Sequence, residues 1–325
     1  MIESADQIAD KTILVTGASG FIGTHLCRRL IHCGARIHAI SREIRQSDSE
    51  QLQWVQCDVK DVTAVRNVVI SVRPQIVFHL ASHVVGAREP GAVLPTFYDN
   101  LASTVHLLTA ITEIGCSRVV LACSSEEPQK IDDTTFPCSP YAAAKLASSI
   151  YGRMFYQLFN TPVVMPRIFM TYGPNQKDLQ KLVPSVTCQL LQGNAPRLSS
   201  GRRLADWIYV DDVVEGLLRA AIVPGIEGRV FDLGSGSLLS VRGIVEHIAE
   251  IVSGGGEPIF NALPDRPFEQ ERAADTSFLL NNLGYRPRVS IREGLEATVA
   301  WYRRQVTGSL DSSSSGVPTC ELSPA

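Results

Sequence analysis

The segment Thr16-Gly17-Ala18-Ser19-Gly20-Phe21-Ile22-Gly23 follows the apolar run Ile13-Leu14-Val15 and opens a stretch with helical periodicity that reaches His32. Three glycines at this spacing leave few folds open. They let a strand turn sharply into a helix, bring backbone N–H groups against a pyrophosphate, and pack the helix close on the strand, while the helix N-terminus adds its positive dipole. A glycine triplet alone often marks only a turn. Here strand, turn and helix occur in order, so the segment reads as a dinucleotide-binding βα unit with Gly17, Ser19, Gly20, Phe21, Ile22 and Gly23 against the cofactor.

From Thr12 to about Val164, short β-branched apolar runs alternate with amphipathic stretches, the pattern of a parallel sheet covered by helices on both faces. Strands are expected at 12–15, 36–40, 52–57, 76–80, 118–122 and Val163–Ile168, and a helix at Phe21–His32. This predicts an α/β doubly wound parallel sheet over residues 11–173. Beyond Gly173-Pro174 the alternation loosens into helices at 179–192, 211–221 and Val241–Val252 and short strands near 207–210 and Val230–Leu233. Residues 174–304 are therefore expected to form a smaller mixed α/β lobe. Residues 305–325, with four consecutive serines and two prolines, read as a disordered tail.

Composition narrows the function. The 325 residues are 45% hydrophobic, ample for a sizeable core. Thirty Lys and Arg against 33 Asp and Glu leave a net charge of −3, with no basic footprint for nucleic acid or anionic lipid. No apolar run approaches the roughly 18 residues of a membrane span, and residues 1–11 lack the basic and apolar regions of a secretory signal. The eight cysteines contain no C-x-x-C pair and the seven histidines no metal-ligand spacing, so a reducing cytoplasm and no metal are expected.

A second constellation carries chemistry. Tyr141 and Lys145 stand four apart on a helical stretch, so both project from one face. A phenol with its ordinary pKa near 10 is a poor base at neutral pH, and a neighbouring ammonium favours the phenolate that can take a proton from a hydroxyl. Ser124, at the end of the fifth strand, can orient the same hydroxyl. At the end of the second strand, where an acid normally accepts from the adenosine ribose, the chain has Ser41-Arg42, which suits the 2′-phosphate of NADP(H) over NAD(H). Asp58-Val59 would lie beside the adenine.

With these motifs in register, the chain resembles the extended short-chain dehydrogenase/reductase family, and within it the nucleotide-sugar epimerases and dehydratases. Matching pieces run from Lys11 to Arg303: the Thr16–Gly23 turn, His79-Leu80-Ala81-Ser82, Asn100, Ser124 with Tyr141 and Lys145, Arg167 with Tyr172-Gly173-Pro174, Tyr209-Val210-Asp211-Asp212, and Arg272 before Asp275. The resemblance implies a Rossmann domain holding NAD(P) and a C-terminal lobe gripping a nucleotide-diphosphate sugar. It also implies transient oxidation at the sugar C4 by hydride transfer, and a homodimer. Leu80, Ala81, Ser82, Ile168, Tyr141 and Lys145 would touch the cofactor. His83, Ser125, Arg167, Arg202, Arg203 and Arg272 would touch the substrate, Arg272 at its diphosphate. The chain departs from the family in Glu127-Pro128-Gln129, where Val-Tyr-Gly is usual, and in Met170 and Ala205, where Asn and Arg are common.

Glu126 bears on the subtype. Family dehydratases carry a glutamate two positions after the catalytic Ser or Thr, able to take a C5 proton once C4 is a ketone. C4 epimerases lack it. Epimerisation needs fewer special residues and is the first expectation; a 4,6-dehydratase using Glu126 and an NADPH-dependent 4-ketoreductase are the alternatives. A non-catalytic cofactor sensor is the remote one, because Ser124, Tyr141 and Lys145 are all intact.

Overall fold

Alternation along each strand decides which face its side chains cover. In β1 (Thr12–Thr16), Ile13 and Val15 enter one apolar cluster while Leu14 enters another; in β4 (Ile76–His79), Ile76 and Phe78 join the first and Val77 the second. A sheet buried on both faces follows. The computed structural model describes residues 6–47, 49–84, 86–128 and 136–311.

The other parallel strands are β2 (Arg36–Ser41), β3 (Leu52–Gln56), β5 (Arg118–Leu121), β6 (Cys123–Ser124), β7 (Val163–Ile168) and, further along the chain, Val230–Leu233. Their order, from the last strand inward, is Val230–Leu233, β7, β5, β4, β1, β2, β3, with β6 also pairing β7. The chain reverses direction across the sheet between β1 and β4, the switch point at which doubly wound sheets bind ligands. The Rossmann-type sheet expected from the sequence is present.

Helices cover both faces. On one lies α1 (Phe21–His32), whose Leu26 and Leu30 pack under Ile13 and Val15. On the other lie α2 (Val62–Val72), N-capped by the Asp61 carboxylate, α3 (Ser103–Ile114), and α4 (Pro140–Phe159). Ser139 caps α4 by accepting from Ala142 N at 3.1 Å, with Pro140 preset for the first turn. A run of short turns, Pro90–Ala92, Val93–Thr96 and the π-turn Phe97–Ala102, leads into α3.

The remaining elements are β8 (Met170–Tyr172), α5 (Leu182–Leu191), β9 (Leu204–Tyr209), α6 (Val210–Ile222), β10 (Val230–Leu233), β11 (Leu238–Ser240), α7 (Val241–Val252), α8 (Ser277–Leu283) and α9 (Ile291–Asp311). The single boundary expected after Gly173 is corrected by the packing. The chain divides into one unit of residues up to Thr171 with Leu204–Leu239 and Arg266–Val289, and a second unit of Tyr172–Arg203, Ser240–Asp265 and residues from Ser290 on.

Three buried carboxylates explain why the later segments belong to the first unit. Asp206 accepts from Ser235 N, Gly236 N and Ala274 N at 2.7, 2.8 and 2.9 Å. Asp212 accepts from Tyr285 Oη, Arg288 N and Val289 N at 2.8, 3.0 and 3.0 Å. Asp232 binds Arg167 and Arg272. Burying a charge is tolerated only when such partners satisfy it. Each therefore fixes the loops it binds, and β10 completes the sheet by pairing with β7. Within the second unit, α5, α7 and α9 pack on one another. The expected disorder from residue 305 is also corrected: α9 continues to Asp311. Residues 312–325 lie outside the described residues, and no helix among those described is long and apolar enough to cross a membrane.

Candidate functional site

The glycine turn is built for close approach. Gly17 sits at φ +69°, and a Cβ there would lie 2.6 Å from Ala81 N; a Cβ on Gly23 would lie 2.1 Å from Gly17 O. No side chain caps α1, and its first turn has no acid. The N–H groups at its start are left for a ligand. Thr16 and His79 fix the neighbouring strand ends. Thr16 Oγ1 lies 2.7 Å from His79 Nδ1 and accepts from Ala81 N at 3.1 Å, and His79 Nε2 lies 3.1 Å from Thr104 Oγ1. Burial, with the Lys145 cation adding, pushes the His79 imidazole down to about 3, so it is neutral and serves as a spacer.

Beside it, Asn100 in the π-turn accepts from Ser82 Oγ at 3.1 Å and His83 N at 2.6 Å and donates to His83 O at 3.2 Å. This holds the loop after β4, with Leu80, Ala81, Ser82 and His83, in a set shape. Such π-turns recur at functional sites.

At the end of β2 the structure adds a residue that sequence reading missed. Arg45 Nε donates to Ser41 Oγ at 3.1 Å, its Nη2 donates to Glu43 Oε2 at 3.0 Å, and its guanidinium lies 5.5 Å from the centre of the Trp54 ring. Arg42 is exposed, its carbonyl accepting from Gln56 Nε2 at 3.2 Å. Asp58 turns the chain by accepting from Lys60 N at 3.0 Å, and the Val59 side chain packs on the second apolar cluster.

Ser124, Tyr141 and Lys145 do come together. The Ser124 hydroxyl lies near enough to the Tyr141 phenol to ease its ionisation, and Lys145 Nζ donates to Ala122 O at 2.8 Å and lies 5.9 Å from the Tyr141 ring centre. All three are buried. Burial holds the phenol above its ordinary range, the Ser124 hydroxyl opposes this, and Glu126 and Glu127 add to it. Burial pulls the Lys145 ammonium down, against Cys123 and Glu127. Ile168 O, across from Ser124, accepts from Ser125 N at 3.0 Å.

The two glutamates after Ser124 differ sharply. Glu126 accepts from Ser139 Oγ at 3.4 Å, beside the start of α4, and its own N–H donates to Ser124 Oγ at 3.2 Å. Glu127 turns inward and is buried.

Arg167 and Arg272 both engage Asp232, at 2.8 Å each. Arg272 lies 4.6 Å from the Phe169 ring centre and donates from Nε to Ser125 O at 3.4 Å; its buried Nη2 has no hydrogen-bond partner among the described residues. Arg202 and Arg203 belong to the second unit, where the Arg202 side chain is 85% exposed, 3.8 Å from Asp265.

The sequence model of the NAD dependent epimerase/dehydratase family matches residues 13–234. The chain is 28% identical to a dTDP-glucose 4,6-dehydratase of Actinoplanes sp., over 90% of this chain and 97% of that protein. It is also 28% identical to a UDP-glucose 4-epimerase of Mycolicibacterium smegmatis, over 90% of this chain and 98% of that protein. The solved UDP-glucose 4-epimerase of Thermus thermophilus, in complex with NAD, matches with a TM-score of 0.76 at 27% identity, covering 90% of this chain and 98% of that one.

Proposed function

We propose that this chain, which belongs to the NAD dependent epimerase/dehydratase family, inverts the C4 centre of a nucleotide-diphosphate sugar. The observation that carries the reading is the buried Ser124–Tyr141–Lys145 group beside the glycine turn. The turn fits a dinucleotide, because a Cβ at Gly17 or Gly23 would fill the cradle. Gly17, Ser19, Gly20, Phe21, Ile22 and Gly23 would hold the pyrophosphate, Asp58 and Val59 the adenine, and Leu80, Ala81, Ser82, Ile168 and Lys145 the nicotinamide end. When bound, the nicotinamide supplies the acceptor and then the donor of the C4 hydride. Tyr141 takes the O4 proton and later returns it. Ser124 donates to the same oxygen, and the Lys145 cation lowers the cost of the phenolate. His83, Ser125, Arg167 and Arg272 would meet the sugar nucleotide, with the free Nη2 of Arg272 turned to a phosphate oxygen. Arg202 and Arg203 are proposed as further substrate contacts.

Epimerisation is placed ahead of dehydration despite Glu126, because it needs fewer special residues; the Glu126 carboxylate accepts from Ser139 Oγ at 3.4 Å and would be the C5 base of a dehydratase. Incubating the protein with UDP-glucose, UDP-glucuronic acid and dTDP-glucose, with and without NADPH, tests the reading. A 4-epimer formed with no net NADPH consumption supports it; a 4-keto-6-deoxy product or stoichiometric NADPH oxidation overturns it.

NADP(H) is proposed over NAD(H), because Ser41-Arg42 stands where an acid would meet the ribose and Arg45 Nε donates to Ser41 Oγ at 3.1 Å. Calorimetry is expected to give NADP⁺ several-fold tighter than NAD⁺, and Arg45→Ala to weaken NADP⁺ about tenfold with NAD⁺ unchanged, the scale of one charged hydrogen bond. Tighter NAD⁺ in the unaltered protein would refute this.

The partner is a second copy. Val93, Leu94, Phe97 and Tyr98 on the turns before α3, and Ile150, Tyr151, Leu158 and Phe159 on the adjoining α4, are exposed large apolar side chains. Such a patch marks an interface. Sedimentation should show a dimer that Leu94→Glu with Leu158→Glu converts to monomer; a monomeric parent sinks the proposal. The free cysteines described, Cys123 among them, suit the reducing cytoplasm proposed as its compartment.

A further inference from the structure

Glu127 is buried to 2% exposure in the middle of the unit that carries Ser124, Tyr141 and Lys145. Its Oε1 accepts from Ser124 N at 2.7 Å, and its Oε2 accepts from Ser149 Oγ at 2.6 Å. Ser124 ends β6, and Ser149 lies one helical turn beyond Lys145 on α4. One carboxylate therefore fastens the strand that presents the serine to the helix that presents the tyrosine and lysine. We infer that Glu127 is a positioning residue, which fixes the Ser124 hydroxyl against the Tyr141 phenol and supplies Lys145 with a buried counter-anion.

Charged groups from three segments act on it. Burial raises the Glu127 carboxyl above its ordinary range; the Ser149 and Ser124 bonds, and then Lys145 from α4 and Arg167 from β7, oppose the rise. Arg272, held by Asp232, feels the same carboxylate, and the Tyr141 phenol and Cys123 thiol are pushed up by it. Glu126, on the same loop, acts on the phenol in the same direction. A hydrogen-bonding tie alone could use a neutral amide. An anion does more, because it keeps the buried Lys145 protonated.

This inference rests on the proposed roles of Tyr141 and Lys145, and the experiment separates the two. Glu127→Gln keeps shape and the acceptor for Ser124 N but removes the charge. On UDP-glucose or dTDP-glucose, whichever the unaltered protein turns over, it should lower kcat at least tenfold with KM changed less than threefold. Both limbs of the pH profile should move to lower pH, since loss of the anion lowers the proton affinity of the phenol and of the ammonium alike. Ser149→Ala should lower kcat less and leave the limbs in place. A readout without turnover is NADP⁺ affinity by calorimetry: its decline at alkaline pH should begin at lower pH in Glu127→Gln. If Glu127→Gln loses only melting temperature, with kcat within twofold and neither the limbs nor the affinity profile displaced, the carboxylate merely supports the fold and the inference fails. Full turnover in Tyr141→Phe instead overturns the reading beneath it.

Discussion

Tyr141→Phe is expected to lower turnover about a hundredfold or more while leaving the fold and cofactor affinity near those of the parent. The ring stays, so the buried contacts of α4 survive; what goes is the oxygen proposed to exchange a proton with O4. The Ser124 hydroxyl acts on the phenol, and the Lys145 ammonium lies 5.9 Å from its ring centre. Burial holds the free protein's phenol above its ordinary range, so little phenolate exists at neutral pH. Lys145→Met should fall at least as far, because it removes both the cation and the proposed contact to the nicotinamide end of the cofactor. Wild-type turnover in Tyr141→Phe, measured under saturating substrate, would contradict the assignment.

Gly23→Val is expected to abolish cofactor binding and lower stability by roughly 3 kcal/mol or more, the upper range of core overpacking. The first atom of any side chain at Gly23 would lie 2.1 Å from Gly17 O and 2.8 Å from Ala18 Cα. These are backbone atoms and cannot rotate away, so α1 must shift off β1 and carry its uncapped N-terminus out of register. Gly17→Ala should be milder in volume but adds strain, because φ +69° is a region that Ala rarely adopts. Differential scanning calorimetry with a NADP⁺ titration checks both: a variant with parental melting temperature and affinity would show that the turn is not tightly packed.

Much of this was legible before any coordinates. Residues 163–168, 230–233 and 241–252 show their observed bounds in the sequence because apolar residues dominate the first two and an amphipathic period marks the third. Glycine spacing located the turn, and the i, i+4 rule put Tyr141 and Lys145 on one helix face. What escaped depended on contacts distant in sequence. The packing divides the chain differently because Asp206, Asp212 and Asp232 bind segments beyond residue 230 back to the first unit, and a lone carboxylate within an apolar run does not show which distant segment it will bind. Arg45 lies in the polar run after β2, where nothing in the pattern shows it folding back to Ser41. Glu127, next to another glutamate and a proline, has the composition of an exposed loop; only the pairing of β6 with β7 and the nearness of α4 turn it inward.

The central claim is that C4 is oxidised and reduced again at one site with Tyr141 handling only the O4 proton, and the most direct measurement is isotopic. UDP-glucose carrying deuterium at C4 is incubated with the protein in ordinary water, its unlabelled counterpart in deuterium oxide, and both products are read by mass spectrometry and proton NMR. The account predicts a C4 epimer that keeps the C4 deuterium in the first case and takes no solvent deuterium on any carbon in the second. Loss of the C4 label to solvent, or deuterium incorporated at C5, would contradict it, the second outcome pointing to dehydration through a base such as Glu126.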